Sequence, residues 1–211
     1  MPIVLLIRHG ENEYVKKGRL AGRKQGVHLN DKGRAQAQAL ADSLKHLPIK
    51  AVYSSPLDRT LETAEPLAQA KNLEVITREG LLEVDFGKWQ DRTLKELARR
   101  KLWKTVQSAP SQMRFPEGES FAEAQQRIAN ELIALARQHS PKDLFACFGH
   151  SDMIKLAVSY FIGQPLDLFQ RLMVQPASVT TLGINPDKGA FLINLNHIPY
   201  KLPQEAKKGH G

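Results

Sequence analysis

Residues 3–10, IVLLIRHG, are five apolar residues followed at once by an arginine, a histidine and a glycine. A continuous apolar run of this length is typical of a β-strand that is buried on both faces of a sheet. Ligands in parallel sheets bind beyond the carboxyl ends of the strands. Arg8 and His9 therefore lie where a binding site is expected.

Further strands are predicted along the chain by short apolar runs. Residues 51–54 fit a short strand, residues 73–77 are a further strand candidate, residues 144–148 fit another buried strand, and residues 179–184 and 191–195 fit a closing hairpin. His150 follows one of these strands directly, as His9 follows the first.

Helices are predicted between these strands. Asn30 or Asp31 caps a helix that runs to about residue 46, and Pro56 opens another in its first turn. Pro66 is expected to kink or end that second helix. Ser120, with a glutamate three residues later, predicts a capping box and a long helix. The alternation of strands and helices predicts an α/β fold with a parallel or mixed sheet covered on both faces.

Length and composition favour an ordinary folded domain. The 211 residues, 42% of them hydrophobic, fit a single domain over residues 1–200, with a polar tail at 201–211 that is predicted to be disordered. The single cysteine, Cys147, excludes an intrachain disulfide and fits a reducing compartment. No apolar run approaches the roughly 20 residues that span a bilayer. We therefore predict a cytoplasmic protein without a membrane segment.

The formal net charge of +8 favours anionic partners without identifying them. Basic residues cluster loosely at 16–24 and 99–104. The first cluster follows the Arg8-His9 turn, where it either steers an anionic substrate or forms an ordinary solvated loop. The sequence leaves both interpretations open.

Four further segments follow the Arg8-His9-Gly10-Glu11 turn in a fixed order. They are Ser54 to Arg59 with Thr63-Ala64, Glu83 to Trp89, Pro116 to Ser120, and Gly149-His150-Ser151. Together the five segments resemble the histidine phosphatase superfamily, also called the phosphoglycerate mutase-like family, and the resemblance extends over residues 3–195. It implies a three-layer α/β/α sandwich around a mostly parallel, mixed sheet.

The resemblance also implies a role for each polar residue. His9 becomes the nucleophile that forms a phosphohistidine, and Glu83 becomes the acid and base. Arg8, Arg59 and His150 bind the phosphoryl group, with His150 supplying a further donor and positive charge. The planar fork of an arginine matches phosphate oxygens in a bidentate way. The Ser151 amide, at a helix N-terminus, is an additional donor. This set needs no metal and no cofactor.

Two positions depart from the family pattern. Many members carry asparagine six residues after the nucleophile, where this chain has Val15, and many carry glycine where it has Ser151. We expect Asn12 to replace the lost phosphate contact.

Three functions are carried forward. The first is a metal-independent phosphomonoester hydrolase whose partner is a small anionic phosphorylated substrate, with no nucleic acid and no membrane involved. The second is a cofactor-dependent phosphoglycerate mutase, but such mutases usually carry a tyrosine-containing insertion, and residues 88–114 contain no tyrosine. The third is a non-enzymatic module that binds anions or nucleic acid. The substrate and the oligomeric state are left open.

Overall fold

The computed structural model describes residues 1–202, and its centre is one six-stranded sheet. The strands are β1 (Ile3–Arg8), β2 (Ile49–Ser54), β3 (Val75–Thr77), β4 (Leu144–Gly149), β5 (Val179–Asn185) and β6 (Gly189–His197). Their order in the sheet is β3-β2-β4-β1-β5-β6. The four strands from β3 to β1 are parallel, while β5 runs antiparallel to both β1 and β6. The predicted mixed, mostly parallel sheet is confirmed.

Helices connect the strands. They are α1 (Glu13–Lys16), α2 (Asp31–Leu44), α3 (Asp58–Lys71), α4 (Leu94–Leu97), α5 (Lys101–Ser108), α6 (Phe121–Arg137) and α7 (Ser151–Phe161). Short 3₁₀ turns lie at Glu79–Leu81, Gly87–Trp89, Pro110–Gln112 and Leu166–Arg171. The Asn30 side chain caps α2, and Ser120 forms the predicted capping box of α6 with Glu123.

The sheet is covered on both faces because successive side chains of a strand point to opposite sides. On β1, Leu5 and Ile7 pack with buried residues of α2 and α3. Val4 and Leu6 belong to the other core cluster, which includes the buried faces of α6 and α7. The molecule is therefore the predicted three-layer α/β/α sandwich.

Pro56 does not open α3, and Pro66 does not end it. Pro56 lies before the helix, which begins at Asp58, because the Ser55 amide still donates to the Phe148 carbonyl of β4 (3.0 Å) and extends the strand region. Pro66 lies inside α3, which continues to Lys71. The buried residues Leu67 and Ala68 anchor this part of the helix to the sheet, and such packing outweighs a local propensity.

The order of the sheet brings three chain segments together. β2, β4 and β1 are parallel neighbours, so the residues that follow them meet at the same edge. These residues are Ser55, His150 and His9, and the His9 amide donates to the Gly149 carbonyl (2.9 Å). This edge is where the sequence predicts the site.

Two predictions concern the ends of the chain and the membrane. Residues 203–211, nearly all of the predicted tail, lie outside the described residues. Within residues 1–202, none of the helices is both long enough and apolar enough to cross a membrane.

The turn after β1 packs backbone against backbone on α2. A Cβ atom on Gly10 would lie 2.7 Å from the Gly33 carbonyl oxygen, and one on Gly33 would lie 2.0 Å from the Glu11 carbonyl oxygen. Only glycine fits at both positions, because real Cβ atoms do not approach backbone oxygens so closely. The absence of two side chains therefore sets the position of the His9 turn.

We expect Gly33→Ala to destabilise the protein by about 1–3 kcal/mol, the usual cost of overpacking a well-packed site. Helix propensity alone predicts the opposite sign, a gain of up to about 1 kcal/mol. Urea denaturation measures the difference. The matched control is Ala35→Gly at an exposed position of α2, which should lose about 1 kcal/mol through propensity alone. A Gly33→Ala variant as stable as the parent would contradict the close packing.

Candidate active site

The His9 ring is held in one protonation form by its own turn. Its Nδ1 atom lies 2.7 Å from the Gly10 carbonyl oxygen. A carbonyl can only accept, so Nδ1 carries the proton and donates it. The lone pair therefore resides on Nε2, and His9 lines a cavity of about 380 Å³. This is the tautomer that a nucleophilic imidazole needs.

Burial and positive neighbours keep both site histidines neutral. Burial, followed by the charges of Arg59 and Arg8, lowers the pKa of His9 well below its usual value of 6.5. The pKa of His150 is lowered well below the same value, again first by burial and then by Arg59. His9 is thus available as a nucleophile at neutral pH. Burial beside Arg59 thus favours the neutral form of His150 in the unliganded site, and a positive charge on it beside a bound phosphoryl group stays a prediction.

His150 faces His9 across the site, with ring centroids 5.5 Å apart. Its Nδ1 atom lies 3.4 Å from Arg59 Nη2, and its Nε2 atom lies 3.0 Å from Ser55 Oγ. Because a guanidinium can only donate, Nδ1 accepts in this contact and the proton lies on Nε2. Ser55, which the sequence placed only in a motif, therefore orients the second histidine.

The two predicted arginines present unused donors. Arg8 Nη1 donates to the Val174 carbonyl and Arg59 Nη2 donates to the Gly22 carbonyl, both at 2.7 Å. Arg8 Nε, Arg59 Nε and Arg59 Nη1 are buried and have no hydrogen-bond partner within residues 1–202. Buried donors in native proteins are almost always paired. Because both arginines line the same cavity, these unpaired donors could bind an anion that has several oxygen atoms.

Asn12 and Val15 occupy the region where the chain departs from the family pattern. The Asn12 side-chain oxygen accepts from the Val15 amide (2.9 Å) and caps α1, whereas its buried Nδ2 has no partner among the described residues. Both residues line the cavity. The free amide group agrees with a phosphate contact by Asn12, which stays a prediction.

Ser151 is the first residue of α7, so its amide belongs to the unpaired donors of a helix N-terminus. Its hydroxyl lies 3.4 Å from the Val174 carbonyl oxygen, and the residue lines the cavity. Six of the seven predicted site residues therefore line the cavity, namely Arg8, His9, Asn12, Arg59, Glu83 and Ser151. His150 is fully buried beside them, in contact with His9 and Arg59.

Glu83 has the acidity expected of a general acid. Burial raises the pKa of its carboxyl group from 4.5 to about 7, and the negative charge of Asp152 contributes in the same direction. One carboxyl oxygen lies 3.8 Å from His150 Nδ1, while the other accepts from the Val84 amide (3.0 Å). The group can therefore be protonated or ionised near neutral pH.

Two arginines that the sequence analysis did not assign hold the Glu83 backbone. Arg23 Nε and Arg127 Nη2 donate to the Glu83 carbonyl oxygen, at 3.0 and 3.3 Å. Both arginines are paired with Glu119, whose carboxylate accepts from Arg23 and Arg127 at 2.9 Å. This explains the segment Pro116 to Ser120, which anchors the acid loop. Sequence spacing gives no indication of such contacts, because the partners lie 60 and 44 residues from Glu83.

The basic cluster at residues 16–24 combines a solvated part with a part at the cavity. Lys16 and Lys17 are exposed, whereas Arg19 lines the cavity, and a role in steering a substrate stays a prediction. Its cations form ion pairs, as follows: Lys16 and Lys17 with Glu13, Arg19 and Lys24 with Asp91, and Arg23 with Asp85 and Glu119. Tyr14 Oη also donates to Asp91 (2.8 Å). Glu13 and Asp91 are each shared by two cations, and Asp91 connects the loop after His9 to the loop that follows Glu83.

A metal site was not expected from the sequence. Within residues 1–202, no three histidine, cysteine, aspartate or glutamate side chains lie where they could share a metal ion.

Known proteins similar to this chain include both phosphatases and mutases. A family model described as the histidine phosphatase superfamily (branch 1) matches residues 4–196. Phosphoserine phosphatase 1 of Hydrogenobacter thermophilus is 33% identical over 138 residues, which are 64% of this chain and 65% of that protein. A 2,3-bisphosphoglycerate-dependent phosphoglycerate mutase of Thermoplasma acidophilum is 32% identical over 184 residues, 87% of this chain and 88% of that protein.

Among solved structures, the crystal structure of phosphoserine phosphatase from Entamoeba histolytica, in complex with 3-phosphoglyceric acid, has a TM-score of 0.84. It is 28% identical, and the match covers 93% of this chain and 97% of that chain.

We expect Asp152→Asn to move the alkaline limb of kcat/KM for an alkyl phosphate to lower pH. Protonated Glu83 must deliver a proton to the alkoxide, so activity falls as pH rises through the Glu83 pKa of about 7. Removing the Asp152 charge favours the ionised carboxylate and lowers that pKa.

The pH profile is measured beside two controls. Asp42→Asn makes the same charge change at an exposed position of α2 and should leave the limb in place. Glu83→Gln should remove the limb, since no titrating acid is left. An Asp152→Asn profile that superimposes on the parent profile would exclude this coupling.

Proposed function

The chain belongs to the histidine phosphatase superfamily, a family of phosphoryl-transfer enzymes, and from this premise we propose that it hydrolyses phosphomonoesters through a phosphohistidine on His9. The observation that carries the proposal is the free Nε2 atom of His9 in the same cavity as the unpaired guanidinium donors of Arg8 and Arg59. The substrate is a small phosphorylated metabolite, and the reaction uses no metal ion.

The first step forms the phosphoenzyme. His9 Nε2 attacks phosphorus, a P–N bond forms and the P–O bond to the alcohol breaks. Arg8 and Arg59 stabilise the charge on the three peripheral oxygens, which is the main requirement of phosphoryl transfer. Glu83 gives its proton to the departing oxygen. His9 Nδ1 keeps its proton and donates it to the Gly10 carbonyl oxygen throughout, so the imidazole keeps its orientation.

The second step releases phosphate. The carboxylate of Glu83 takes a proton from a water molecule, whose oxygen attacks phosphorus as the P–N bond breaks. Inorganic phosphate leaves, His9 is neutral again and Glu83 has regained its proton. A pKa of about 7 suits a group that acts as acid and then as base at neutral pH.

Hydrolysis is favoured over mutase action by access to water. A mutase has to protect its phosphoenzyme from water while the bound intermediate changes its orientation in the site. Here residues 88–114 form a wall of the cavity, and Leu94 on that wall is 41% exposed, so the cavity reaches solvent at this edge. The segment contains no tyrosine. These features support the hydrolase, and the mutase is the second candidate.

We expect His9→Ala to lower kcat by at least about a thousandfold, since the covalent route is lost while the phosphate-binding groups stay. Assays in excess chelator test the metal-independent reaction at the same time. Radiolabelled substrate should label the parent enzyme and leave the variant unlabelled. His46→Ala, at an exposed position after α2, is the matched control. Equal rates for His9→Ala and the parent would exclude the covalent mechanism.

We expect the enzyme, when supplied with 3-phosphoglycerate, to release inorganic phosphate much faster than it forms 2-phosphoglycerate. The reason is that water reaches the phosphoenzyme before a bound intermediate can reorient. Both products are followed with and without 2,3-bisphosphoglycerate. Isomerisation that outpaces phosphate release would reject the hydrolase and favour the mutase.

A further inference from the structure

The cavity has an apolar wall beside the phosphate-binding groups. Trp89 and Trp103 stack with ring centroids 6.1 Å apart, and Phe115 packs edge-on against Trp89 at 5.4 Å. The apolar residues that line the cavity are Val15, Leu20, Phe86, Trp89, Leu94, Trp103, Val106, Phe115 and Phe121. They come from four separate segments, so the wall is a built surface of the cavity.

The cations that line the cavity outside the phosphate-binding pair already have carboxylate partners. Besides Arg8 and Arg59, the cavity is lined by two cations, Arg19 and Lys155. Arg19 Nη2 lies 2.9 Å from an Asp91 carboxylate oxygen, and Lys155 Nζ lies 3.3 Å from one of Asp152. Each extra cation therefore already has a carboxylate partner, although Arg19 Nε is buried and has no hydrogen-bond partner among the described residues.

The carboxyl groups of the protein offer no compensating attraction. Glu83 and Asp152 both line the cavity, and Asp152 is the group that offsets the charge of Lys155. A substrate carboxylate would lie among groups of both signs and gain little net attraction. Phosphoserine and phosphoglycerate, the small substrates named for relatives, each carry a carboxylate close to the phosphate.

We propose, resting on the proposed phosphatase function, that the substrate is a phosphomonoester of an apolar alcohol, preferably one with an aromatic ring. The phosphate lies against Arg8 and Arg59, and the ring lies against Trp103 and the apolar wall. A cavity of about 380 Å³ has room for both parts, since ligand sites typically start near 300 Å³. Aromatic rings favour offset or edge-on contacts with other rings, which this wall offers.

The preference is measured with three substrates that share an alkoxide leaving group, so that differences in leaving-group acidity play little part. They are 2-phenylethyl phosphate, phosphoserine and 3-phosphoglycerate. We expect kcat/KM for 2-phenylethyl phosphate to exceed that for each carboxylated substrate by about tenfold or more, the size of effect that a small change in a specificity pocket produces.

A matched pair of variants tests the wall itself. Leu94 lines the cavity and is 41% exposed, whereas Leu102 is 43% exposed and lies outside the cavity lining. Leu94→Lys places an unpaired cation on the wall and should shift the ratio of kcat/KM values toward 3-phosphoglycerate by about tenfold. Leu102→Lys makes the same change and should leave the ratio within about twofold. Both side chains are exposed, so the fold should tolerate either change.

Binding to the His9→Ala variant separates the two proposals. Isothermal titration should show tighter binding of 2-phenylethyl phosphate than of 3-phosphoglycerate, whether or not the parent enzyme hydrolyses either. Tighter binding and faster turnover of the carboxylated substrates would overturn the apolar-alcohol inference and leave the phosphatase in place. If the parent enzyme hydrolyses none of the three substrates while the variant still binds 2-phenylethyl phosphate more tightly, the proposed phosphatase function would be overturned. The inferred preference for an apolar alcohol would then be supported.

Discussion

The hydrogen bond from His9 Nδ1 to the Gly10 carbonyl is the contact on which the site depends. It leaves Nε2 free and aims it at the cavity. The Gly10 carbonyl is in place because its turn rests directly on the backbone of Gly33, and the His9 amide is bonded to the end of β4. Side chains support the same turn, since Thr63 Oγ1 accepts from the Gly10 amide (3.0 Å) and Gln36 Oε1 from the Glu11 amide (2.8 Å). A reactive imidazole is thus oriented by a turn that is held at several points.

The arginines of the site carry positive charge and unpaired donors that a bound anion would neutralise and pair. Two guanidinium groups and two neutral histidines surround a space with unpaired donors, and the nearest carboxyl group, Glu83, is easily protonated. A phosphate dianion supplies the missing negative charge and the missing acceptors together. The same burial that makes Glu83 a proton donor also keeps His9 neutral. One physical cause, removal from water, therefore gives both the nucleophile and the acid their working protonation states.

Local rules predicted those parts of the structure that local interactions control. The buried strand at residues 3–7, the Asn30 cap and the Ser120 capping box follow from neighbours within four residues, and each is present. Pro66 does not end its helix, and burial favours neutral His150, because tertiary packing and burial decide both features. The contacts of Arg127 with Glu83, and of Arg19 with Asp91, join residues 44 and 72 positions apart. No pattern in one sequence indicates such pairs.

These long-range ion pairs link specificity to catalysis. Arg23 contacts the Glu83 carbonyl and the Glu119 carboxylate, while its neighbours Arg19 and Lys24 hold Asp91. The loop after the nucleophile, the acid loop and the start of α6 therefore form one connected unit around the cavity. A substitution that removes one partner of these ion pairs should therefore displace both Glu83 and the apolar wall of the cavity. A substitution at an exposed residue of the wall, such as Leu94, can change the preferred alcohol while Glu83 stays in position. The Glu83 carbonyl is held by Arg23 and Arg127, and Leu94 belongs to neither contact. Within such a unit, specificity can diverge among relatives that keep one phosphoryl-transfer centre.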